Sequence, residues 1–348
     1  VWASQYRVGG KGRFVFHGDF LHKAVRGFPG SHLGEISFRG AFDAHPAGVY
    51  VIACTLPITQ HLGRVEIEVN GEQSWSLYMC MSEDLLGAAG LASQILKQGF
   101  DSLISMAIAA DRDWIGKART PVSTSTLVQR NYKRWLLANR LCLGLEGCMI
   151  AAPRPFWSFV WPRDASISAA GFAAAGFVEE GQSIVKWLLD ATPESRIHEA
   201  RYFTDHTPML LDNRLRQGDN PGYIAWATSF VCKQKWDLKF VNTVKAQLFA
   251  LADLLLSHVD PDSLLPLPES DYWEMAPAES ISIAASAMGG LLGAAYIAER
   301  LGEVDRADLY RKRAEEIKAA ASIHLWNSDG QYFMSHVNPT NKDTDVAI

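Results

Sequence analysis

The sequence predicts a mainly α-helical protein preceded by a β-rich segment, and two patterns predict it. Apolar residues recur with a period of about two up to residue 82 and of about 3.6 beyond it. Segments with a single apolar stripe then take turns with segments that are almost uncharged and rich in Ala, Gly and Ser, as expected for two concentric layers of helices. An ordinary helical bundle or solenoid produces the same alternation, although no fixed-length repeat is visible.

The β-rich part runs from Tyr6 to Met81 as short strands broken by Gly and Pro. These are Arg13 to Phe16, Glu35 to Phe38, Gly48 to Leu56 and Arg64 to Val69, the last ending in an Asn70-Gly71 hairpin signal. Val65, Ile67 and Val69 alternate with Glu66 and Glu68, the pattern of a half-buried strand. Ser82, Glu83 and Asp84 then offer a cap and an acidic first turn for a helix from Leu85 to Ile108. Further helices are expected at Ser125 to Leu143, Asp164 to Ala175, Glu179 to Asp190, Tyr223 to Lys233, Lys239 to Val259, Glu279 to Leu301 and Val304 to Ala321. Lys239 to Val259, with Val241, Val244, Leu248, Leu251, Leu255 and Val259 on one stripe, and the charged Val304 to Ala321 read as surface helices. Asp164 to Ala175 and Ser280 to Ala298 read as helices packed on all sides.

Composition narrows the function classes. With 348 residues, 48% hydrophobic and 20% charged, the chain can bury a sizeable core. Its net charge of -5, without a basic block, points away from nucleic acid and anionic membranes. The expected protein is soluble and cytoplasmic, with no segment crossing a membrane; a removed leader stays open because the chain starts at Val1. The five cysteines form no Cys-x-x-Cys pair and have no His partners at metal-ligand spacing, so reduced thiols and no metal site are expected. No His-Glu-x-x-His or Gly-x-Ser-x-Gly stands in the chain, and Gly9-Gly10-Lys11-Gly12 lacks the context of a phosphate loop.

Chemistry concentrates in three clusters that precede helices. Phe156-Trp157-Ser158-Phe159-Val160-Trp161-Pro162-Arg163-Asp164 combines flat indole faces, suited to the C–H faces of a sugar, with Arg and Asp groups that fix hydroxyls. The same residues also read as a helix start with core tryptophans. Glu269-Ser270-Asp271-Tyr272-Trp273-Glu274-Met275-Ala276-Pro277 interleaves carboxylates with aromatics, which permits one carboxyl group to be desolvated enough to donate a proton. On the residues alone, a solvated acidic loop with Asp271 or Glu279 capping a helix explains it more simply. Arg214-Leu215-Arg216-Gln217-Gly218-Asp219-Asn220-Pro221-Gly222 is by itself a polar turn.

In this order the clusters resemble glycoside hydrolase family 15, which holds glucoamylases, glucodextranases and some trehalases. Gly147-Cys-Met-Ile-Ala-Ala-Pro153 followed by Trp161-Pro-Arg-Asp-Ala165 is similar to the bacterial and archaeal form of that family. Asp271-Tyr-Trp-Glu274 resembles the family's Asp-Leu-Trp-Glu, and Gln217, Asp219 and Pro221 match parts of a Pro-Gln-x-Asp-Gly-Pro stretch. The chain departs from the family at Met275, where a second acid is usual, at Arg216 and Asn220, and at Asn213, where an aromatic is usual.

The resemblance implies an (α/α)6 barrel of six inner and six outer helices, incomplete in this chain, with about seven helices counted. It implies residues 1–81 as part of an N-terminal β-sandwich, 82–121 as a helical linker and 122–348 as the catalytic domain. Glu274 would be the general acid. Trp157, Trp161, Arg163, Asp164, Gln217, Asp219, Asp271 and Trp273 would bind the substrate. The implied activity is inverting, exo-acting hydrolysis that releases β-glucose from the non-reducing ends of α-gluco-oligosaccharides or -polysaccharides, with no cofactor. The resemblance assigns no catalytic base among these residues, so the 348 residues alone are expected to be inactive. A non-catalytic carbohydrate-binding or regulatory protein on the same barrel, and a related disaccharide phosphorylase, remain as alternatives.

Overall fold

The computed structural model describes residues 2–8, 11–17, 33–38, 48–61, 64–82, 85–123, 125–152, 157–193, 195–210, 213–272, 274 and 276–337. They form two compact units, Val1–Trp114 and Ile115–Ile348.

The first unit holds seven strands, β1 (Trp2–Val8), β2 (Lys11–His17), β3 (Leu33–Phe38), β4 (Gly48–Cys54), β5 (Ile58–His61), β6 (Arg64–Asn70) and β7 (Gln73–Ser82). One antiparallel sheet has the order β1-β7-β4-β3 and the other β2-β6-β5. Residues from both sheets, among them Ile52, Ile67, Val69, Trp75 and Leu77, share one core, so the sheets face each other as a sandwich. The opposite face of the larger sheet, through Val51, Ala53, Tyr78 and Cys80, packs on Ala88, Ala92 and Ile95 of helix α1 (Leu85–Gln98). The period-two rule of the strands therefore fills two cores at once.

Three expectations are corrected in this unit. The Asn70-Gly71 turn closes no hairpin. β6 is already paired on both edges, by β2 and β5, so the chain crosses to the other sheet at Gly71, whose φ is +87°. Glu66 is buried rather than solvent-facing, because Arg13 pairs with it at 3.2 Å. The helix expected from Leu85 to Ile108 is two helices, α1 and α2 (Phe100–Ile115), broken at Gly99 with φ +82°. The expected acidic start at Glu83 and Asp84 lies outside the described residues.

The second unit is the helical one. Its helices are α3 (Thr126–Arg140), α4 (Pro162–Ala174), α5 (Val178–Asp190), α6 (Asn220–Gln234), α7 (Leu238–Ser257), α8 (Ile281–Arg300) and α9 (Val304–His324). A small ribbon, β8 (Trp326–Asn327) and β9 (Tyr332–Phe333), follows. The inner layer is α4, α6 and α8 side by side, with α5, α7 and α9 laid over them. The inner helices are the uncharged ones because they meet neighbours on several sides; α6 buries Asn220, Ile224, Ala225, Thr228 and Val231 among others.

Glycine sets how closely the inner helices approach. A side-chain carbon at Gly222 of α6 would lie 2.3 Å from the Ser286 carbonyl of α8, and one at Gly293 would lie 2.5 Å from the Ser229 hydroxyl of α6. Composition misleads at this point. α7 and α8 are long and apolar enough to span a bilayer, and α8 is uncharged from Ser280 to Ala298, against the expectation of no such segment. Packing in the helix layers accounts for that composition in α8, most of which is buried.

Neighbouring glycines of α8 give a test. A methyl at Gly290 would meet the Gly222 carbonyl at 2.8 Å, whereas one at Gly289 has its nearest neighbour, Trp226, at 3.7 Å. Gly290→Ala should lower unfolding free energy by about 1–3 kcal/mol through overpacking. Gly289→Ala should be neutral or stabilising by up to about 1 kcal/mol. Urea unfolding of the two variants checks both.

Candidate active site

The first cluster forms the entry to α4. Trp161 is the residue before the helix, Pro162 is its first residue, and Arg163 and Asp164 follow in the first turn. Proline here loses no hydrogen bond, and its fixed φ aims the two charged residues out of the helix end. Trp161 is buried, with Trp157 tilted over it at 5.6 Å between ring centroids and Phe159 meeting it edge-on at 6.1 Å. The Arg201 guanidinium lies over Phe159 at 4.6 Å and over Trp161 at 5.3 Å, a cation held on two aromatic faces. Trp157 is about half exposed.

The second part is a short extended stretch ahead of α6. Gln217 N–H donates to the His198 carbonyl at 3.1 Å, and Gly218 N–H donates to the Ser270 carbonyl at 2.9 Å. A side chain at 218 would meet Glu269 at 2.6 Å, which restricts that position to glycine. The stretch is thus clamped on both sides, and it presents Gln217 and Asp219 to Arg163. Arg163 Nη1 donates to Gln217 Oε1 and to Asp219 Oδ2, each at 3.1 Å, while Nη2 lies 3.6 Å from Asp164. Both Gln217 and Asp219 are fully buried. The guanidinium also sits over the Tyr272 ring, 5.8 Å from its centroid.

The third part is the loop before α8. Asp271 is buried, and its Oδ2 accepts from the Ser282 hydroxyl at 3.1 Å and lies 3.2 Å from His336 Nε2. His336 is brought there by pairing of the 335–337 segment with the start of α8, where Ile281 N–H donates to Ser335 O and Val337 N–H donates to Glu279 O. The chain turns tightly after Asp271: Glu274 N–H donates to the Asp271 carbonyl at 2.8 Å, and Glu274 itself has φ 56°. In the left-handed region a side chain costs energy, and such strain persists where surroundings impose it. The turn places Glu274 Oε1 at 3.5 Å from Gln217 Nε2, a long hydrogen bond, and Oε2 against Arg214 in an ion pair.

A hydrogen-bonded line therefore runs from Arg163 through Gln217 to Glu274, with Asp219 beside it, at the N-terminal ends of the inner helices. The structure brings together Trp157, Trp161, Arg163, Asp164, Gln217, Asp219, Asp271 and Glu274. Trp273, also expected to bind substrate, lies outside the described residues, as does Met275. Asp164 has its side chain about half exposed, and it lines a cavity of about 200 Å³ with Asn139, Ile150 and Ile167. Helix capping, one reading of the acidic loop, belongs to neither Asp271 nor Glu279. Ser280 caps α8, its hydroxyl accepting from Ile283 N–H.

No sequence pattern singles out Arg201, Ser282 or His336, and Arg214 stands within the polar turn before α6. Nothing local marks Arg201 or His336, because their partners stand 40 or more positions away or are reached by a separate strand. Ser282 was findable as a second hydroxyl in the first turn of α8. Among the described residues no group of His, Cys, Asp and Glu could hold a metal ion. All five cysteines are free thiols, and burial pushes Cys232 up to about 12.

No protein-family profile matches the chain, and no curated protein is significantly similar to it in sequence. Solved structures do resemble it. A bacterial glucoamylase complexed with acarbose superposes with a TM-score of 0.66 at 14% identity, covering 92% of this chain and 53% of its own. A wild-type glycosidase superposes with a TM-score of 0.54 at 16% identity, covering 63% of each chain. A rhamnosidase from Klebsiella oxytoca with rhamnose bound gives 0.52 at 14% identity, covering 95% of this chain and 63% of its own. The chain spans about half the length of the glucoamylase. These likenesses establish the fold: an α/α barrel of the glucoamylase kind, with β-sheets in the N-terminal part.

Burial shifts two groups of the site in opposite senses. Asp219 is pushed up from 3.8 to about 6 by desolvation, with the Arg163 guanidinium opposing and Asp271 adding to the rise. His198 is fully buried and is pushed down from 6.5 to about 4, again by desolvation. Asp219 binds its proton more tightly in the folded state, so its contribution to stability is complete below pH 3.8 and is lost as pH rises through about 6. His198 does the reverse: its contribution is complete above pH 6.5 and is lost as pH falls through about 4. The two should nearly cancel in this window. Asp219→Asn should uncover the His198 dependence, with unfolding free energy falling by on the order of 2 kcal/mol from near-neutral to acid pH. Urea titrations of variant and wild type at both pH values check this; equal slopes would refute it.

Proposed function

We propose that the protein is a glycoside hydrolase of the exo-acting, inverting α-glucosidase kind, with Glu274 as the proton donor. Arg163 and Asp164 hold the sugar at the non-reducing end, Gln217 and Asp219 fix Arg163 from beneath, and Trp157, backed by the buried Trp161, supplies an apolar wall for its ring. In this reading residues 1–81, 82–121 and 122–348 are sandwich part, linker and catalytic domain. The supporting observation is the line Arg163–Gln217–Glu274, which ties the sugar-gripping residues of α4 to the carboxyl group before α8. A proton donor must stand in fixed register with the sugar it acts on, because catalysis depends on near-attack geometry.

In the inverting mechanism the acid protonates the glycosidic oxygen while a second carboxylate activates water on the opposite face, some 6.5 to 9.5 Å away. The resemblance places that base in none of the residues described. A second reading, sugar binding without cleavage, is favoured by one observation: both Glu274 oxygens act as acceptors, from Gln217 and Arg214.

Glucose release from maltose, isomaltose and trehalose by the intact protein separates the two readings. Hydrolysis should occur on at least one of them, and Glu274→Gln should reduce kcat by about two or more orders of magnitude, as expected for loss of a general acid. Sugar binding with no hydrolysis in the wild type would establish the binding protein instead.

A further inference from the structure

We propose that the site is selective for α-glucosides whose leaving group carries an oxyanion next to the cleaved bond, and that Arg214 selects them. The inference rests on Glu274 being the acid. Arg214 Nη1 pairs with Glu274 Oε2, while Gln217 Nε2 donates to Oε1. A proton donor needs one carboxyl oxygen that carries hydrogen and faces the glycosidic oxygen. Gln217 belongs to the sugar-gripping line and is fully buried, so Oε1 is the inner oxygen. Oε2 is the one left to donate, and Arg214 occupies it.

The pair is open to exchange. The side chains of Arg214 and Glu274 are 34% and 32% exposed, so the ion pair is reached from solvent and is weakly held. A second guanidinium stands close along the chain. Arg216, 45% exposed, stands two residues further along, 4.0 Å from Glu269. Asn213 stands before Arg214 and Met275 follows Glu274, while Asp212, two residues before Arg214, lies outside the described residues. A guanidinium binds carboxylate or phosphate through two parallel N–H···O bonds, which a hydroxyl cannot match.

An anionic leaving group therefore does two things in this site. It takes over Arg214, which aligns the leaving group, and it releases Oε2 to carry and donate the proton. The reaction is hydrolysis: the C1–O bond breaks, its electron pair stays on the oxygen, and that oxygen takes the proton of Glu274. Water oxygen bonds to C1, and the proton it gives up restores Glu274 through solvent. A neutral leaving group leaves Arg214 on the acid and is cleaved more slowly.

The test uses 2-O-α-D-glucosylglycerate, its neutral counterpart 2-O-α-D-glucosylglycerol, and maltose, assayed with the intact protein. The proposal expects kcat/KM at least about tenfold higher for the glycerate than for the glycerol compound, the size of one charge-assisted contact. Arg214→Gln should bring that ratio to about one, and Arg214→Lys, which keeps the charge, should preserve part of it. Cleavage of maltose and of the glycerate and glycerol compounds at equal efficiency by the wild type would overturn this inference and leave the hydrolase reading standing. A preference that survives in Arg214→Gln would also overturn it. Absence of hydrolysis of the glycerate would overturn this inference; absence on isomaltose and trehalose as well as on all three would overturn the hydrolase reading with it.

Discussion

The pairing of Arg163 with Asp219 is the contact around which the site is arranged. Removing two charges from water is expensive, and the attraction between them repays the cost only where geometry and further hydrogen bonds are good. Here Asp219 is fully buried and Arg163 mostly so, their contact is 3.1 Å, and Gln217 shares the same guanidinium nitrogen. The pair joins the first turn of α4 to the residue before α6, so the two helix ends cannot separate without exposing an unpaired buried charge. Asp219 also sits at a helix N-terminus, where the backbone dipoles favour an anion, yet burial still holds its carboxyl well above the usual range.

Everything else in the site depends on helix ends being close, and small residues make them so. Gly222 and Gly290 let α6 and α8 approach until backbone nearly meets backbone, which sets the loop before α8 beside the loop before α6. The Gln217–Ser270 pairing then transmits position across that gap, and the left-handed turn at Glu274 returns its carboxyl toward Gln217. Packing in the inner layer and placement of the proton donor are thus one geometric problem. A methyl group added deep between the helices would be felt at the carboxyl group.

Much of this was legible in the sequence, for identifiable reasons. The uncharged Ala, Gly and Ser composition of the α8 segment marked a helix surrounded on several sides, so the inner layer could be read from residue types, although the same composition also fits a bilayer span. Proline followed by Arg and Asp marked the start of α4, because that order satisfies the geometry of a first turn. What could not be read was set by distant partners. Glu66 looked solvent-facing until Arg13, 53 residues away, was found against it. The Asn70-Gly71 turn carried the chemistry of a hairpin, but strand pairing elsewhere left β6 no free edge. Asp271 looked like a cap because carboxylates cap helices, whereas His336 and Ser282 hold it from outside its own loop. Arg214 gave no signal beyond polarity, since its meaning lies in the carboxylate it faces.

The central claim is that Arg163 and Asp219 act as one unit that holds the site together. A double-mutant cycle on stability tests it most directly, with Arg163→Met, Asp219→Asn and the double variant compared by urea unfolding at neutral pH. The account predicts a coupling energy of about 1–3 kcal/mol, each single change costing more than its share because it strands the other partner. Additive effects within about 0.5 kcal/mol would contradict it, since the two residues would then contribute independently and the helix ends would be set by packing alone.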